Sequence, residues 1–304
     1  LASTSWSVKT VATPDSKAPQ SGGDALIVDP ATGDIYVKSV QDPSGSPVQL
    51  ARVTPQGTVK ILHTFNGLKN SDGSGIALDP LNKDEIIVAD EEPGALTSRI
   101  ALINIKTNAV STLLQLPWKM NPGSEGTGQE QFATDPSNPD ILYFWDTTEH
   151  SLYQYNQKTK QLTPPLVTLP GSTILEDGNC VVFDPASGNL LLTDGVGEDV
   201  LEVNPRTTPA TVTTLFSTQQ LQGRPGAIAL NPQTGEVFID VVNNGGDSIL
   251  VGSRLGGPLS LVVAGLGATG LAVGNATNGM GLSLFVVSRS SKTLHEISQV
   301  NTPF

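Results

Sequence analysis

Asp90, Asp146, Asp194 and Asp240 each follow a short apolar run, IIVA, YFW, LLT and VFI, and each stands at the same point of a phrase that the chain repeats. Lys38 or Ser39, and Ser288, take that place in two further copies. Carboxylates gathered around one point repel one another unless a cation or a proton intervenes. Hard cations such as Ca2+ take several oxygen ligands from carboxylates, amides and carbonyls. The densest group is Glu176, Asp177, Asn179 and Asp194, and Glu130 is the nearest residue to complete it. Asp177, Asn179, Asp194 and Glu130 are therefore the candidate ligands for Ca2+ or another divalent cation. Asp146 and His150, in the stretch FWDTTEHS, are the candidates for a catalytic base. Asp90 and Asp240 are candidate ligand-binding residues. So are Trp118, in a long Gly-rich loop, and Trp145, at the rim, whose rings suit stacking on a sugar or an aromatic ligand. A repeated Asp has a structural use as well, since it can cap a strand and hold neighbouring backbone N–H groups. Trp118 has a structural alternative too, as a plug between neighbouring units.

The repeated phrase is an apolar run, Asp-Pro, a tight turn and a second apolar run. It reads ALIVDPATGDIYV at 25–37, GIALDPLNKDEIIV at 75–88 and QFATDPSNPDILYF at 131–144. It returns as CVVFDPASGNLLL at 180–192, AIALNPQTGEVFI at 227–239 and, decayed, GLAVGNATNGMGLSLFVV at 270–287. The Asp-Pro or Asn-Pro pairs begin at 29, 79, 135, 184 and 231, and the sixth turn falls at Gly274-Asn275. Turn chemistry explains these pairs: Asp accepts from the backbone two residues on, and Pro presets φ. A period near 40–50 residues with several short strands in each unit is the mark of a β-propeller.

Two further strand-like runs follow each of the first five hairpins, giving four strands per unit and an all-β, six-bladed β-propeller of antiparallel blades. The last unit supplies only three, GLAVG, LSLFVVS and LHEISQV. The missing strand is SWSVKTVAT at 5–13, so blade 6 is expected to join about 268–300 to 5–13 within one domain spanning 1–304. Strand direction alternates within a blade, so the Asp-Pro turns share one face and the acidic loops the other, with the candidate residues around the channel mouth.

Composition bounds the partners. A net charge of −12 argues against nucleic acid, whose phosphates need clustered Lys and Arg. The single cysteine, Cys180, forms no intrachain disulfide and falls in an apolar run, as an inert core thiol would. His63 and His295 fall within strands, and Trp6 in the closing strand reads as packing. No zinc spacing, Ser-hydrolase elbow, P-loop or dinucleotide motif occurs, so no nucleotide cofactor is expected. No apolar stretch is long enough to span a bilayer. Low Lys, one Cys and abundant Thr, Ser and Gly read as a secreted or periplasmic chain, with no signal peptide in LASTSWSVKTVATP. A monomer is expected.

The hairpins, in forms such as GIALDP…EIIVAD and NCVVFDP…NLLLTD, resemble the NHL-repeat and gluconolactonase/strictosidine-synthase-like superfamily of six-bladed propellers, over essentially the whole chain. Members of the gluconolactonase branch are hydrolases with a divalent cation in the axial channel, held by a Glu, amide or Asn ligands and an Asp. The resemblance implies that Asp177-Gly178-Asn179 and Asp194 correspond to that branch's blade 4 motif, with Asn179 displaced by about one residue. Where the branch has an early Glu-Gly-Pro, this chain has Gly22-Gly23-Asp24. Two functions stay open. One is an NHL-like propeller that binds a small molecule or protein partner at its acidic face and channel. The other is a divalent-metal-dependent lactonase or esterase-type hydrolase.

Overall fold

In each repeat the apolar residues beside an Asp-Pro turn are nearly continuous, and such runs form strands buried on both faces. The computed structural model describes residues 5–12, 23–39, 48–65, 75–91, 97–118, 132–146, 149–169, 180–243, 246–288 and 293–300. Its strands form six antiparallel sheets, the blades. Blade 1 is Gly23–Val28, Ile35–Ser39, Val48–Val53 and Val59–Phe65. Blade 2 is Ile76–Leu78, Glu85–Glu91, Ser98–Asn104 and Val110–Gln115. Blade 4 is Val181–Asp184, Asn189–Asp194, Asp199–Asn204 and Thr211–Phe216, and blade 5 is Arg224–Leu230, Glu236–Asn243, Gly246–Ser253 and Ser260–Ala264.

Blade 3 departs from the expected pattern. After Phe132–Asp135, Asn138–Asp146 and Ser151–Asn156, its outer edge comes in two pieces, Gln161–Leu162 and Val167–Thr168. Pro164 and Pro165 lie between them. Proline has no N–H to give a ladder, so the edge breaks there.

Blade 6 closes the ring as its missing strand implied. Ala268–Asn275, Leu282–Ser288 and Thr293–Val300 are completed by Ser5–Ala12, which pairs with Thr293–Val300 from Ser5↔Val300 to Ala12↔Leu294. First and last segments thus share one sheet, and no blade is left with three strands.

The core lies between blades. On the second strand of blade 2, Ile86 and Val88 pack with Tyr36, Leu50 and Phe65 of blade 1. Ile87 and Ala89, pointing the other way, pack with Phe132, Leu142 and Phe144 of blade 3. The period-2 alternation of side chains therefore sends each strand's residues alternately to its two neighbours. At the seam between blades 6 and 1, Gly274 of one inner strand lies against Val28 of the other, where any Cβ would collide with the valine side chain.

The Asp-Pro turns are structural throughout. Asp29, Asp79, Asp135, Asp184 and Asn231 each accept a bond from the backbone N–H two residues on, at 2.8–3.0 Å. Asp184 also takes Arg254 of blade 5 at 3.1 Å, tying two blades together on that face.

Candidate functional site

At the repeated position that follows the apolar run of each second strand, most of the side chains are withdrawn from solvent. Lys38, Ser39, Asp90, Asp146, Asp240 and Ser288 are all buried. A buried charge is costly unless it is paired or hydrogen-bonded, and the fold supplies partners. Lys38 reaches from blade 1 to donate to the Ala89 carbonyl of blade 2 at 2.6 Å, with its ammonium 5.2 Å from the Phe65 ring centre. Asp90 accepts from Nε of Arg99, its cross-strand partner, at 2.6 Å.

Asp146 binds the loop segments around it. Its Oδ2 accepts from the Trp118 indole N–H, and its Oδ1 from the Glu149 amide at 3.0 Å. Trp118 is set by a second bond, its carbonyl accepting from the Ser98 amide at 2.8 Å, and its ring lies 5.7 Å from that of Tyr153. It therefore fills the seam between blades 2 and 3, where it packs on their shared core. Trp145 is a correction to its expected place at the rim. It is 1% exposed and packs in the core between blades 3 and 4, because alternation turns Tyr143 and Trp145 toward blade 4 and Phe144 toward blade 2.

Asp240 is also placed differently from expectation. Its strand continues to Asn243, so Asp240 lies inside the ladder opposite Ile249, not at a strand end. Gly226 of the inner strand makes room for it: a Cβ there would lie 3.1 Å from Asp240 Oδ2.

Asp194 differs from the other three. It is half-exposed, and its Oδ1 accepts from the Val196 and Gly197 amides at 3.0 Å each, while its Oδ2 takes no hydrogen bond among the described residues. The adjacent Thr193 is pinned to the inner strand, its hydroxyl accepting from the Cys180 amide at 2.8 Å. Cys180 is fully buried, as an inert thiol would be. Of the proposed metal ligands, Asp177, Asn179 and Glu130 lie outside the described residues, and so does Glu176. Among the described residues no group of three or more His, Cys, Asp or Glu is placed to hold a metal.

His150 occupies a turn with φ of 47°, and its carbonyl accepts from the Leu169 amide at 2.9 Å. His63 and His295 are strand residues, and burial holds both imidazoles below the usual range. At His63 the nearby Asp90 works upward and Arg99 downward; at His295 burial acts alone. A histidine whose folded value is depressed binds a proton more readily when the chain unfolds. Stability is therefore fully present above about pH 6.5 and falls as pH drops below it toward the folded values. Melts between pH 5 and 7.5 are expected to show that decline, and His295→Gln to flatten part of it. An unchanged slope in the variant would show that His295 is not responsible.

No helix among the described residues is long and apolar enough to cross a membrane. No protein-family model matches the chain, and no curated protein matches it. Solved structures do. An auxiliary nutrient binding protein from Bacteroides thetaiotaomicron superposes with a TM-score of 0.68 at 14% identity, covering 98% of this chain and 77% of its own. A gluconolactonase from Xanthomonas campestris gives 0.67 at 13% identity, covering 97% and 90%. An auxiliary nutrient binding protein from Bacteroides ovatus gives 0.64 at 11%, covering 98% and 78%. At these identities the likeness is one of fold. The chain shares the six-bladed β-propeller architecture found in a gluconolactonase and in nutrient-binding proteins, the architecture that its six hairpins resemble.

Proposed function

We propose that the protein is an exported propeller that binds a small molecule or a protein partner at its acidic face and channel mouth, without hydrolysing it. The observation that carries this reading is the commitment of Asp146. Both of its oxygens already accept bonds from the fold, and the residue has no exposed surface. A general base must lie within about 2.6–3.2 Å of the proton it takes, and a carboxylate so engaged is poorly placed for that. Asp90 is engaged through its Oδ2, which the Arg99 guanidinium holds. These bonds fasten the floor beneath the loops, which suits a rigid platform with recognition on the loops it carries. Binding and hydrolysis both occur on this fold, so fold alone does not choose between them.

The experiment is an assay against γ- and δ-lactones and aryl acetates with saturating Ca2+. Rates at background are expected. Hydrolysis above background that Asp146→Asn or His150→Ala abolishes would overturn the binding reading.

Asp194 favours a second reading, a divalent-cation site, because it combines exposure with an oxygen unused among the described residues. Asn179 directly precedes Cys180, whose amide is bonded to Thr193 beside Asp194. Residues 177, 179 and 130 would complete the ligand set, and a bound Ca2+ would supply charge to orient or polarise a ligand oxygen. Ca2+ is then expected to raise the melting temperature by mass action, and Asp194→Asn to remove that rise. No shift in the intact protein would refute the cation site.

A further inference from the structure

Two clefts among the described residues adjoin on the face that carries the Asp-Pro turns, opposite the end of the blade 4 second strand at Asp194. One, of about 180 Å3, lies between blades 5 and 6. The other, of about 440 Å3, continues toward the first turn of blade 1, and the two share Gln233 and Leu282.

The smaller cleft combines an aromatic ring with a polar edge. Trp6, near the start of the closing strand, stands edge-on to the buried Phe238, with ring centres 5.9 Å apart and planes at 84°. That contact fixes the indole, while its N–H donates no hydrogen bond among the described residues. Beside it, Glu236 is held from several sides. Its Oε2 accepts from the Thr234 hydroxyl at 2.7 Å and from Asn231 Nδ2 at 3.4 Å, and its Oε1 from Gln299 Nε2 at 3.2 Å. The Gln233 side-chain amide is exposed and unused by the fold among the described residues.

The turn residue fits the same arrangement. The four other Asp-Pro turns carry aspartate, and the blade 5 turn carries Asn231, which donates to Glu236. An aspartate there would set a second carboxylate against the first.

This lining selects a class of ligand. No Lys or Arg lines the cleft and a carboxylate does, so anions are disfavoured. A wholly apolar ligand would leave the amides without water or partners. A pyranose fits both halves, because one face of its ring is apolar and its edge carries hydroxyls that both donate and accept. Indole stacking suits the face, and carboxylate and amide groups suit the edge. The volume is below the roughly 300–1,000 Å3 of drug-sized sites, which matches one ring. The adjoining cleft leaves a path for further units.

We propose that this cleft binds one pyranose unit of a neutral glycan, with Trp6 as platform and Glu236, Gln233 and Gln299 as the hydroxyl-binding edge. This goes beyond the function proposed above and uses the opposite face, so either can fail alone. The test is calorimetry and tryptophan fluorescence on the full chain. The probes are methyl glycosides of glucose, galactose and mannose, together with cellotetraose and maltotetraose. At least one is expected to bind, with a tetrasaccharide tighter than its methyl glycoside. Gln233→Ala is expected to weaken binding by up to about tenfold, the scale of one lost hydrogen bond, with an unchanged melt. Trp6→Phe, which keeps an aromatic ring against Phe238, is expected to weaken it as well, and Asp194→Asn to leave it intact. No binding of any probe overturns the proposal. So does binding that Asp194→Asn weakens while Gln233→Ala and Trp6→Phe do not, a result that would move the sugar to the acidic face.

Discussion

Removal of residues 1–12 is expected to lower the melting temperature by about 10 °C and to make the chain associate. The deletion takes away the outer strand of blade 6, whose ladder runs from Ser5↔Val300 to Ala12↔Leu294. Several backbone hydrogen bonds at about 0.5–1.5 kcal/mol net each, together with the Trp6 packing on Phe238, come to roughly 5 kcal/mol or more. Most of this strand is exposed, and only Trp6, Val11 and Ala12 are half-buried, so the loss is dominated by the ladder rather than by core. The inner strands of blades 6 and 1 would still meet at Gly274 and Val28, so a weakened fold is expected rather than none. The uncovered edge of Thr293–Val300 would present free backbone groups to a second molecule. Scanning calorimetry and light scattering of the deletion check both effects, and a synthetic 1–12 peptide added in trans should restore part of the melt. A deletion that melts with the intact protein and stays monomeric would show that closure contributes little.

The closing strand was legible because a count of strands per unit left the last unit one short. The hairpins were legible because turn chemistry is local: Asp or Asn, then Pro, sets each turn from within a few residues. What failed to show was direction. YFW in blade 3 reads as an apolar run, and only the alternation of its side chains sends Trp145 into the seam with blade 4 instead of the rim. The end of a second strand was also hard to place, since the blade 5 hairpin runs on to Asn243 and draws Asp240 inside it.

Partners across the sheet were harder still. The pairing of Asp90 with Arg99 depends on the register between two strands, which their spacing in the chain does not give. The cleft between blades 5 and 6 is assembled from residues at 6, 231–238, 273 and 282–299, segments whose meeting follows from ring closure. Trp6 read as packing because its contact with Phe238 is packing, and the polar edge beside it belongs to another blade. Local chemistry thus survives in the sequence, whereas a site built across a seam needs the fold first.

Asp146→Ala is expected to cost about 2–4 kcal/mol, because it strands two donors that the native carboxylate satisfies in a buried place. These are the Trp118 indole N–H and the Glu149 amide, one on the stretch leaving blade 2 and the other in the loop of blade 3. Asp146→Asn should cost less, since one amide oxygen can still accept while the NH2 group meets a donor. Trp118→Phe removes a partner and keeps most of the ring that packs near Tyr153. If the contact is a structural clasp, the two changes are coupled, and the double variant Asp146→Ala with Trp118→Phe loses less than the sum of the singles by about 0.5–3 kcal/mol. Denaturant melts of the four proteins give that number, and the near-ultraviolet dichroism of Trp118 gives an independent reading of whether the indole is released. Additive losses with an unchanged indole signal would mean that the bond is incidental, and Asp146 would then be available for proton transfer. Strong coupling would leave it as the fastening of the acidic face, and the function would rest with the loops it anchors.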